Sequence, residues 1–249
     1  MIGRDLHCHT CFCDGKNTPE EMVLAAIERG LTTIGISEHG YTAFDSSYCL
    51  SLEKTEEYKA EMRRLKEKYS DKIEVLLGIE LDALSDLDTS DYDYVIGSAH
   101  YVKCGDKYLP VDESPSDFEQ ICREYFGGDY YAFAQEYYRT VATLADKKIH
   151  IVGHIDLITK FNEGNRLFDM TDPQYLAAAK GAIDALLPLN IPFEINTGAI
   201  SRGHRTEPYP HKFLCDHIKQ KGGTLILSSD AHTAENLCFK FEEFEYLIK

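Results

Sequence analysis

Seven short runs of apolar and β-branched residues alternate with longer segments of helical periodicity along this 249-residue chain. This alternation is typical of repeated βα units around a parallel sheet. The predicted strands are Arg4–Cys8, Thr33–Ser37, Glu74–Ile79, Tyr94–Ser98, Ile149–Gly153, Pro192–Ile195 and Thr224–Leu227. No linker rich in Pro, Gly or Ser divides them, so we expect a single α/β domain over residues 1–249.

The predicted helices between these strands have recognisable boundaries. The clearest begins at Thr18-Pro19-Glu20-Glu21, where a capping hydroxyl precedes a proline at the first helical position and a glutamate at the third, and it ends before Gly30. The other predicted helices are Leu52–Tyr69, Asp117–Tyr125, Asp129–Lys147, Pro173–Leu187, Pro210–Lys221 and Asn236–Ile248. Two further segments, Lys103–Ser116 and Asn162–Thr171, are expected to be loops that could close over a site.

Charge and composition exclude several classes of partner. The chain carries 26 Lys and Arg against 42 Asp and Glu, a net charge of −16, and it has no basic stripe that could bind a nucleic-acid backbone. Its first residues, MIGRDLHCHT, do not show the basic segment followed by an apolar stretch that is expected of a leader, and no window approaches the run of about 18 apolar residues that a membrane span requires. The eight irregularly spaced cysteines suggest reduced thiols. We therefore expect a cytoplasmic protein, and the sequence leaves its oligomeric state open.

Histidine and polar residues stand where the predicted strands end. The first strand ends with His7 and His9, and the later ends carry His39, Glu80, His100, His154, Asn196, Asp230 and His232. The carboxyl ends of the strands in a parallel βα barrel meet at one face, so these side chains are expected to converge. His7 and His9 are two residues apart and point to the same side of their strand, with Cys8 pointing away. Asp14, in the next loop, could add an oxygen ligand.

This mixture of imidazoles and carboxylates indicates a metal site. It suits Zn²⁺, Mn²⁺ or Fe²⁺ better than copper or an iron–sulfur cluster. The set is too large for one ion, and Glu80 could bridge two ions about 3.5–4 Å apart, the arrangement used in two-metal hydrolysis. A zinc–thiolate site at Cys8, Cys11 and Cys13 lacks a second cysteine pair, and a serine nucleophile lacks its G-x-S-x-G turn. Among the other histidines, we interpret His150 and His217 as structural and leave His204 and His211 open.

Six motifs in order along the chain resemble the PHP (polymerase and histidinol phosphatase) superfamily. They are Asp5-Leu-His7-Cys-His9-Thr, Ser37-Glu38-His39, Gly78-Ile-Glu80, Gly97-Ser-Ala-His100, Gly153-His154-Ile-Asp156 and Ser229-Asp230-Ala-His232. The resemblance covers almost the whole chain. It implies a distorted (β/α)7 TIM-like barrel with three divalent metal ions, Zn, Mn or Fe, at its C-terminal end.

The resemblance also assigns the metal ligands. His7, His9, Glu80 and Asp230 would hold the first ion, Glu80, His100 and His154 the second, and Asp14, His39 and His232 the third. Asp14 stands where several relatives carry histidine, which bears on the affinity and metal preference of the third site.

The segment Glu194–Gly203 is similar to the histidinol-phosphate phosphatases of this superfamily. The resemblance implies a small phosphorylated substrate, most simply L-histidinol phosphate, and the histidine biosynthesis pathway. Water bridging two ions that share Glu80 would lose a proton and attack phosphorus in line, so Glu80 and Asp230 would be catalytic. No residue stands out as the acid for the leaving group.

Basic residues near the strand ends could stabilise the transferred phosphoryl group. Arg202 is the first choice, because a guanidinium can bind phosphate through two hydrogen bonds, and it is also assigned a catalytic role. The further candidates for substrate contact are Lys160, Arg205, Arg166 and Asn196. Asp156 and Glu194 are expected to hydrogen-bond the rings of metal-binding histidines, and Glu38 either does the same or points outward.

Three other functions stay open at this stage. A phosphoesterase of the same superfamily could act on phosphotyrosine or on nucleotide phosphates. An open, shallow site would favour phosphotyrosine protein, whereas a deep pocket with an acidic partner for the amine would favour histidinol phosphate. An amidohydrolase also uses an H-x-H barrel but usually has a bridging lysine, where this chain has Glu80. A non-catalytic module with structural metals is disfavoured because buried carboxylates and imidazoles are costly without a role.

Overall fold

Seven parallel strands form a nearly closed barrel in the computed structural model, which describes residues 3–249. The strands are β1 (Arg4–Asp5), β2 (Thr33–His39), β3 (Glu74–Asp82), β4 (Tyr94–Ser98), β7 (Ile151–Val152), β8 (Phe193–Asn196) and β9 (Leu225–Ser228), paired in that order. A parallel bridge between Cys8 and Ala231 joins the segments that follow β1 and β9. This architecture confirms the predicted single α/β domain with a distorted (β/α)7 barrel.

Helices lie between most consecutive strands of the barrel. They are α1 (Pro19–Glu28), α2 (Leu52–Lys68), α3 (Pro115–Phe126), α4 (Tyr130–Ala142), α5 (Pro173–Leu186), α6 (Gly198–Ser201), α7 (Lys212–Gln220) and α8 (Phe241–Phe244). No helix separates β3 from β4, and α8 follows β9. The capping box predicted for α1 is present: the Thr18 hydroxyl accepts from the Glu21 amide at 3.2 Å, and the Glu21 carboxylate accepts from the Thr18 amide at 2.8 Å. None of the helices within residues 3–249 is long and apolar enough to cross a membrane.

Two predicted segments have a different structure. The expected C-terminal helix Asn236–Ile248 is broken into two 3-10 turns around the short α8. Cys238 and Lys240 have φ angles of 55° and 54°, a left-handed conformation that interrupts a right-handed helix. The expected loop Lys103–Ser116 contains most of an antiparallel hairpin, β5 (Tyr101–Cys104) and β6 (Lys107–Pro110).

The lengths of the strands also differ from the prediction. The first and fifth predicted strands shrink to two residues each, whereas β2 and β3 run further toward their carboxyl ends. The β2–β3 ladder continues until His39 lies opposite Glu80. The longer pairing therefore places two predicted metal ligands side by side.

A small apolar cluster fills the barrel interior below the strand ends. It consists of Leu6, Tyr94, Ile96 and Ile151, which come from the β1, β4 and β7 segments. The Tyr94 hydroxyl crosses the barrel and donates to the Leu6 carbonyl at 2.5 Å. A Cβ atom at Gly35 or Gly78 would lie 2.2 Å from the Tyr94 side chain, so these two glycines make room for its ring. The larger core lies between the barrel and the helices.

Candidate metal centre

All nine predicted metal-binding side chains meet at the carboxyl end of the barrel. Glu80, on β3, lies at their centre and is 1% exposed. Its Oε2 atom lies 3.4 Å from His7 Nε2, 3.6 Å from His9 Nε2 and 2.8 Å from His39 Nδ1. Its Oε1 atom lies 3.6 Å from His100 Nε2 and 3.1 Å from His154 Nε2. A single carboxylate thus faces five imidazoles, as expected of a group shared between ions.

Asp230 and Asp14 extend this cluster toward solvent. Asp230 Oδ1 lies 3.3 Å from His9 Nε2 and 3.6 Å from His232 Nδ1. Asp14 Oδ2 lies 3.1 Å from His232 Nε2 and 3.7 Å from His39 Nε2. The outer part of the cluster is therefore built on Asp14, the position where we expected an altered third site.

Four overlapping groups of these residues have ligand atoms within 4.8 Å of one another. They are His7, His9 and Asp230; His7, Glu80 and His154; His39, Glu80 and His100; and His9, Asp14, His39 and His232. A fifth group combines His9, Cys13 and Glu38. Within the described residues no such group contains more than one cysteine, because Cys8 is buried in the core and Cys11 is exposed. This argues against the zinc–thiolate alternative.

Unpaired buried atoms show that the cluster suits divalent cations. The Nε2 atoms of His7 and His9 and both carboxylate oxygens of Glu80 are buried and have no hydrogen bond of acceptable geometry within residues 3–249. Buried polar atoms without partners are costly, and the lone pairs of these four atoms would be satisfied by cations. Nitrogen and carboxylate ligands suit Zn²⁺, Mn²⁺ and Fe²⁺.

The protonation of these groups is strongly perturbed. Burial and the neighbouring His39 and His232 lower the pKa of His9 to about 3, so its ring is neutral and able to bind a cation. Burial opposes the charged form of His39, but Glu80 and Asp14 outweigh it and raise its pKa to about 9. Burial disfavours the Glu80 carboxylate, yet His7, His39 and His100 hold its pKa well below the usual range.

Carboxylates behind the cluster orient two of the imidazoles. Glu194 lies 2.8 Å from His7 Nδ1, as expected, and also accepts from the His154 amide at 2.7 Å. Asp82 accepts from the His100 amide at 2.9 Å and lies 3.4 Å from His100 Nδ1. We did not predict Asp82, although it stands two residues after Glu80 and the alternation of a strand places both side chains on the same face.

Two other predicted orienting carboxylates have different partners. Asp156 accepts from the Nδ1 atom of His211 at 2.8 Å instead of from a cluster histidine. The chain makes a 3-10 turn after Asp156, and the carboxylate faces the segment that precedes α7. Glu38 does not point outward: it is fully buried and accepts from the Thr10 amide at 3.1 Å and from the Cys13 thiol at 2.5 Å.

A cavity of about 350 Å³ opens above the cluster. Arg202 lines it, and its guanidinium donates to Asp230 Oδ2 at 3.0 Å and to His232 Nδ1 at 2.8 Å. Lys160 also lines it and donates to the carbonyl and carboxylate oxygens of Asp112 at 2.7 and 3.2 Å. The structure therefore brings two of the predicted phosphate-binding cations to the candidate site.

Three other predicted substrate contacts lie outside the cavity. Arg205 is buried, where it donates to His211 at 2.8 Å and covers the ring of Tyr209 at 4.4 Å. Asn196 is buried behind Asp230 and donates to its Oδ2 atom at 3.3 Å. Arg166 lies on the surface, 3.6 Å from Glu119. The guanidinium NH₂ groups of Arg205 and the side-chain amide of Asn196 are bound to other protein groups.

The cavity wall includes residues that sequence reasoning missed. The predicted lid Lys103–Ser116 contributes Asp112 and Glu113, whereas Asn162–Thr171 contributes no lining residue. Ser47 and Tyr48, from the segment between β2 and α2, also line the cavity, together with Tyr101. The only sequence signal for that segment is its position after a strand end.

The remaining histidines divide as follows. The ring of His150 accepts from the Val95 amide at 3.1 Å, and the ring of His217 pairs with Asp184 at 2.8 Å, so both are structural, as interpreted. His211 belongs to the buried network of Asp156 and Arg205. His204 lines the cavity.

Known proteins resemble this chain in sequence along most of its length. The PHP domain family matches residues 5–198. A protein of Deinococcus radiodurans named “Probable histidinol-phosphatase” is 28% identical, over 96% of this chain and 90% of its own length. The histidinol-phosphatase of Bacillus subtilis is 26% identical, over 98% of each chain.

A solved structure shares the fold. It is the histidinol phosphate phosphatase of Lactococcus lactis, described as complexed with zinc, L-histidinol and phosphate. It is 24% identical to this chain, with a TM-score of 0.74 over 99% of this chain and 92% of its own. On the evidence of the family match, which covers most of its length, this chain belongs to the PHP domain family.

Proposed function

We propose that this protein is a phosphatase that uses divalent metal ions to hydrolyse L-histidinol phosphate to L-histidinol and phosphate. The observation that carries the proposal is the set of buried, unpartnered atoms of His7, His9 and Glu80 beneath an open cavity. The names of the two relatives support the reaction. The zinc, L-histidinol and phosphate described for the Lactococcus lactis protein support the metal requirement and the substrate.

The residues of the cluster would hold three ions of Zn, Mn or Fe. The first would lie among His7, His9, Glu80 and Asp230, the second among Glu80, His100 and His154, and the third among Asp14, His39 and His232. Bound there, divalent ions lower the pKa of coordinated water and stabilise charge on phosphoryl oxygens.

Arg202 is the protein group best placed to bind the phosphoryl oxygens. Burial opposes its charge, but Asp230 outweighs this and raises the pKa of the guanidinium, so Arg202 stays a cation. Its hydrogen bonds to Asp230 and His232 hold it beside the metal-binding residues. A fixed cation that needs no rearrangement stabilises the negative charge that develops during phosphoryl transfer. Lys160, held by Asp112, provides a second cation in the same cavity.

The cavity also fits a small substrate that carries a cationic group. Its volume of about 350 Å³ is in the range of small-molecule sites. Glu113 lines it and makes no ion pair within the described residues, so its carboxylate is free to bind the ammonium group of histidinol. Tyr48 and Tyr101 offer aromatic surface for an imidazole ring. These features favour an amino alcohol phosphate over a phosphotyrosyl protein or a nucleotide.

Phosphate release from a panel of monoesters, measured together with metal content, tests this proposal. We expect kcat/KM for L-histidinol phosphate to exceed that for phosphotyrosine and for a nucleoside monophosphate by more than about tenfold. A preference for another monoester would remove the substrate but keep the chemistry. If the metal-loaded protein released phosphate from none of them, the phosphatase proposal would be wrong.

His100→Ala separates a catalytic from a purely structural metal centre. Loss of this imidazole should lower turnover by more than about a hundredfold, since even residues that only orient a ligand contribute about 10–100-fold. Circular dichroism should show an intact fold. His217→Ala is the matched control, because it removes an imidazole that pairs with Asp184 outside the site. Unfolding of His100→Ala would favour a non-catalytic module.

We also propose a cytoplasmic location. All eight cysteines are free, as expected where thiols are kept reduced. Cell fractionation with an antibody against the protein tests this directly, and recovery in a secreted or membrane fraction would contradict it.

A further inference from the structure

His204 occupies a distinct position on the cavity wall. It follows the short α6, after Gly203, whose φ of +74° turns the chain back toward the barrel. The His204 amide donates to the Ala199 carbonyl at 2.9 Å, which fixes the start of this turn. The ring stands edge-on to Phe161, with 6.3 Å between ring centroids. His204 thus lines the same cavity as Arg202 and Lys160, but from outside the metal-binding cluster.

The other proton-bearing groups of the cavity are poorly suited to releasing a proton. The four cluster imidazoles that line it, His39, His100, His154 and His232, face carboxylates as candidate metal ligands. Arg202 does not give up its proton in proteins, and the ammonium group of Lys160 is held by Asp112.

The two tyrosines of the cavity do not supply a ready acid either. Tyr101 already donates its hydroxyl to Asp45 at 2.7 Å. Burial raises the pKa of the Tyr48 hydroxyl far above its usual value. The ring of His204, in contrast, makes no hydrogen bond to another side chain or to the backbone within residues 3–249.

We propose that His204 is the general acid that protonates the alcohol leaving group, an inference that rests on the phosphatase function proposed above. As the bond from phosphorus to the ester oxygen breaks, its electron pair stays on that oxygen, which takes a proton from the imidazolium. Attack of water forms the new P–O bond and releases a proton to solvent. His204 regains a proton from solvent, so the net reaction is monoester plus water to alcohol plus phosphate.

The charges around His204 couple its protonation to substrate binding. Burial lowers the pKa of the imidazole, Lys160 and Arg202 lower it further, and Asp112 acts in the opposite direction. Phe161, also packed against it, carries no charge. A phosphate monoester dianion bound by the two cations offsets their effect and favours the imidazolium. Substrate binding therefore shifts His204 toward its protonated, acidic form.

A pair of substrates with different leaving groups tests this role in the metal-loaded protein. L-Histidinol phosphate releases a basic alkoxide, whereas p-nitrophenyl phosphate releases a phenolate that needs no acid. We expect His204→Gln to lower kcat on the alkyl ester by about a hundredfold or more and to leave kcat on the aryl ester within about threefold. The decline of kcat at high pH should also be lost for the alkyl ester.

Two controls and three alternative outcomes make the test decisive. His217→Gln replaces an imidazole outside the cavity and should leave both rates unchanged. Metal content and thermal unfolding of His204→Gln should match those of the wild type, because the His204 ring is exposed on the cavity wall. Equal losses on both esters would overturn the acid role in favour of simple substrate binding, and no loss on either would exclude both roles. If the wild type hydrolysed neither ester, the proposed function itself would fail.

Discussion

The Nδ1 atom of His7 lies 2.8 Å from Oε2 of Glu194, and both side chains are fully buried. A carboxylate only accepts, so in the neutral ring the proton lies on the nitrogen that faces Glu194, and Nε2 presents a lone pair to the space shared with Glu80 and Asp230. Hydrogen bonds of this kind determine the tautomer and orientation of metal-binding histidines. Glu194 also accepts from the His154 amide, so it positions two candidate ligands at once.

Glu194→Gln should therefore weaken metal binding while the fold is retained. The amide can still accept from the His154 backbone, but its NH₂ group cannot accept the His7 proton. We expect metal affinity to fall by about 10–100-fold, measured by competition with a chromophoric chelator. Glu74→Gln is the matched control. Glu74 is the first residue of β3, at the end of the barrel opposite the metal-binding residues, and it accepts from the Thr33 hydroxyl at the surface. Equal affinities of the two variants would contradict this role for Glu194.

Asp14→Ala tests the third ion. Asp14 is the carboxylate that faces His39 and His232, and it is absent from the groups around Glu80. We expect elemental analysis to show a loss of about one ion per chain, because the two imidazoles left behind are too few to hold a labile cation. Asp86→Ala removes a fully exposed carboxylate and should leave the metal content unchanged. An unchanged content in Asp14→Ala would show that the site does not depend on this residue.

Glu38 should make the metal-free protein less stable as pH rises. Burial raises the pKa of Glu38 from 4.5 to about 7, and hydrogen bonds from Cys13 and Thr10 only partly oppose this. Between these two values the unfolded chain loses a proton that the folded chain keeps. The stability associated with this group is therefore present below pH 4.5 and is lost as pH rises through 7.

Urea denaturation of the metal-free protein measures this effect. Between about pH 5 and pH 8 the free energy of unfolding of the wild type should fall relative to that of Glu38→Gln, by up to about 3 kcal/mol. The comparison isolates Glu38, because the other titrating groups are shared. Parallel pH profiles of the two proteins would contradict the raised pKa.

Asp156 should stabilise the fold far more than a similar pair at the surface. It is fully buried and accepts from the amide and the ring of His211 at 2.9 and 2.8 Å, next to the buried Arg205. Asp156→Ala leaves buried donors without partners and should cost about 3–5 kcal/mol of unfolding free energy. Asp184→Ala breaks an exposed pair with His217 and should cost less than about 1 kcal/mol. If urea titrations showed similar losses of unfolding free energy for Asp156→Ala and Asp184→Ala, the larger role of Asp156 would be refuted.

The residues of the cluster were predictable because each comes after a strand, and the local sequence of each strand is enough to identify it. The strand ending at His39 and the strand carrying Glu80 are apolar runs, and parallel pairing brings their ends together. The predicted helix 236–248 was wrong because Cys238 and Lys240 adopt left-handed angles that their residue types do not announce. The buried position of Arg205 was not predictable, because its partners Thr159 and Tyr209 are brought to it by the fold and a local pattern does not show them.

By itself, the sequence determined the alternation of strands and helices and the chemistry of the strand ends, because these depend on periodicity and residue type over a few positions. Only the tertiary structure decided which carboxylate orients which imidazole. The Glu194 partner of His7 is 187 positions away, and Asp156 pairs with His211 instead of with a cluster histidine. Such pairings depend on how the barrel closes, because closure decides which polar side chains are buried away from water and must pair with one another. Barrel closure is a property of the whole chain.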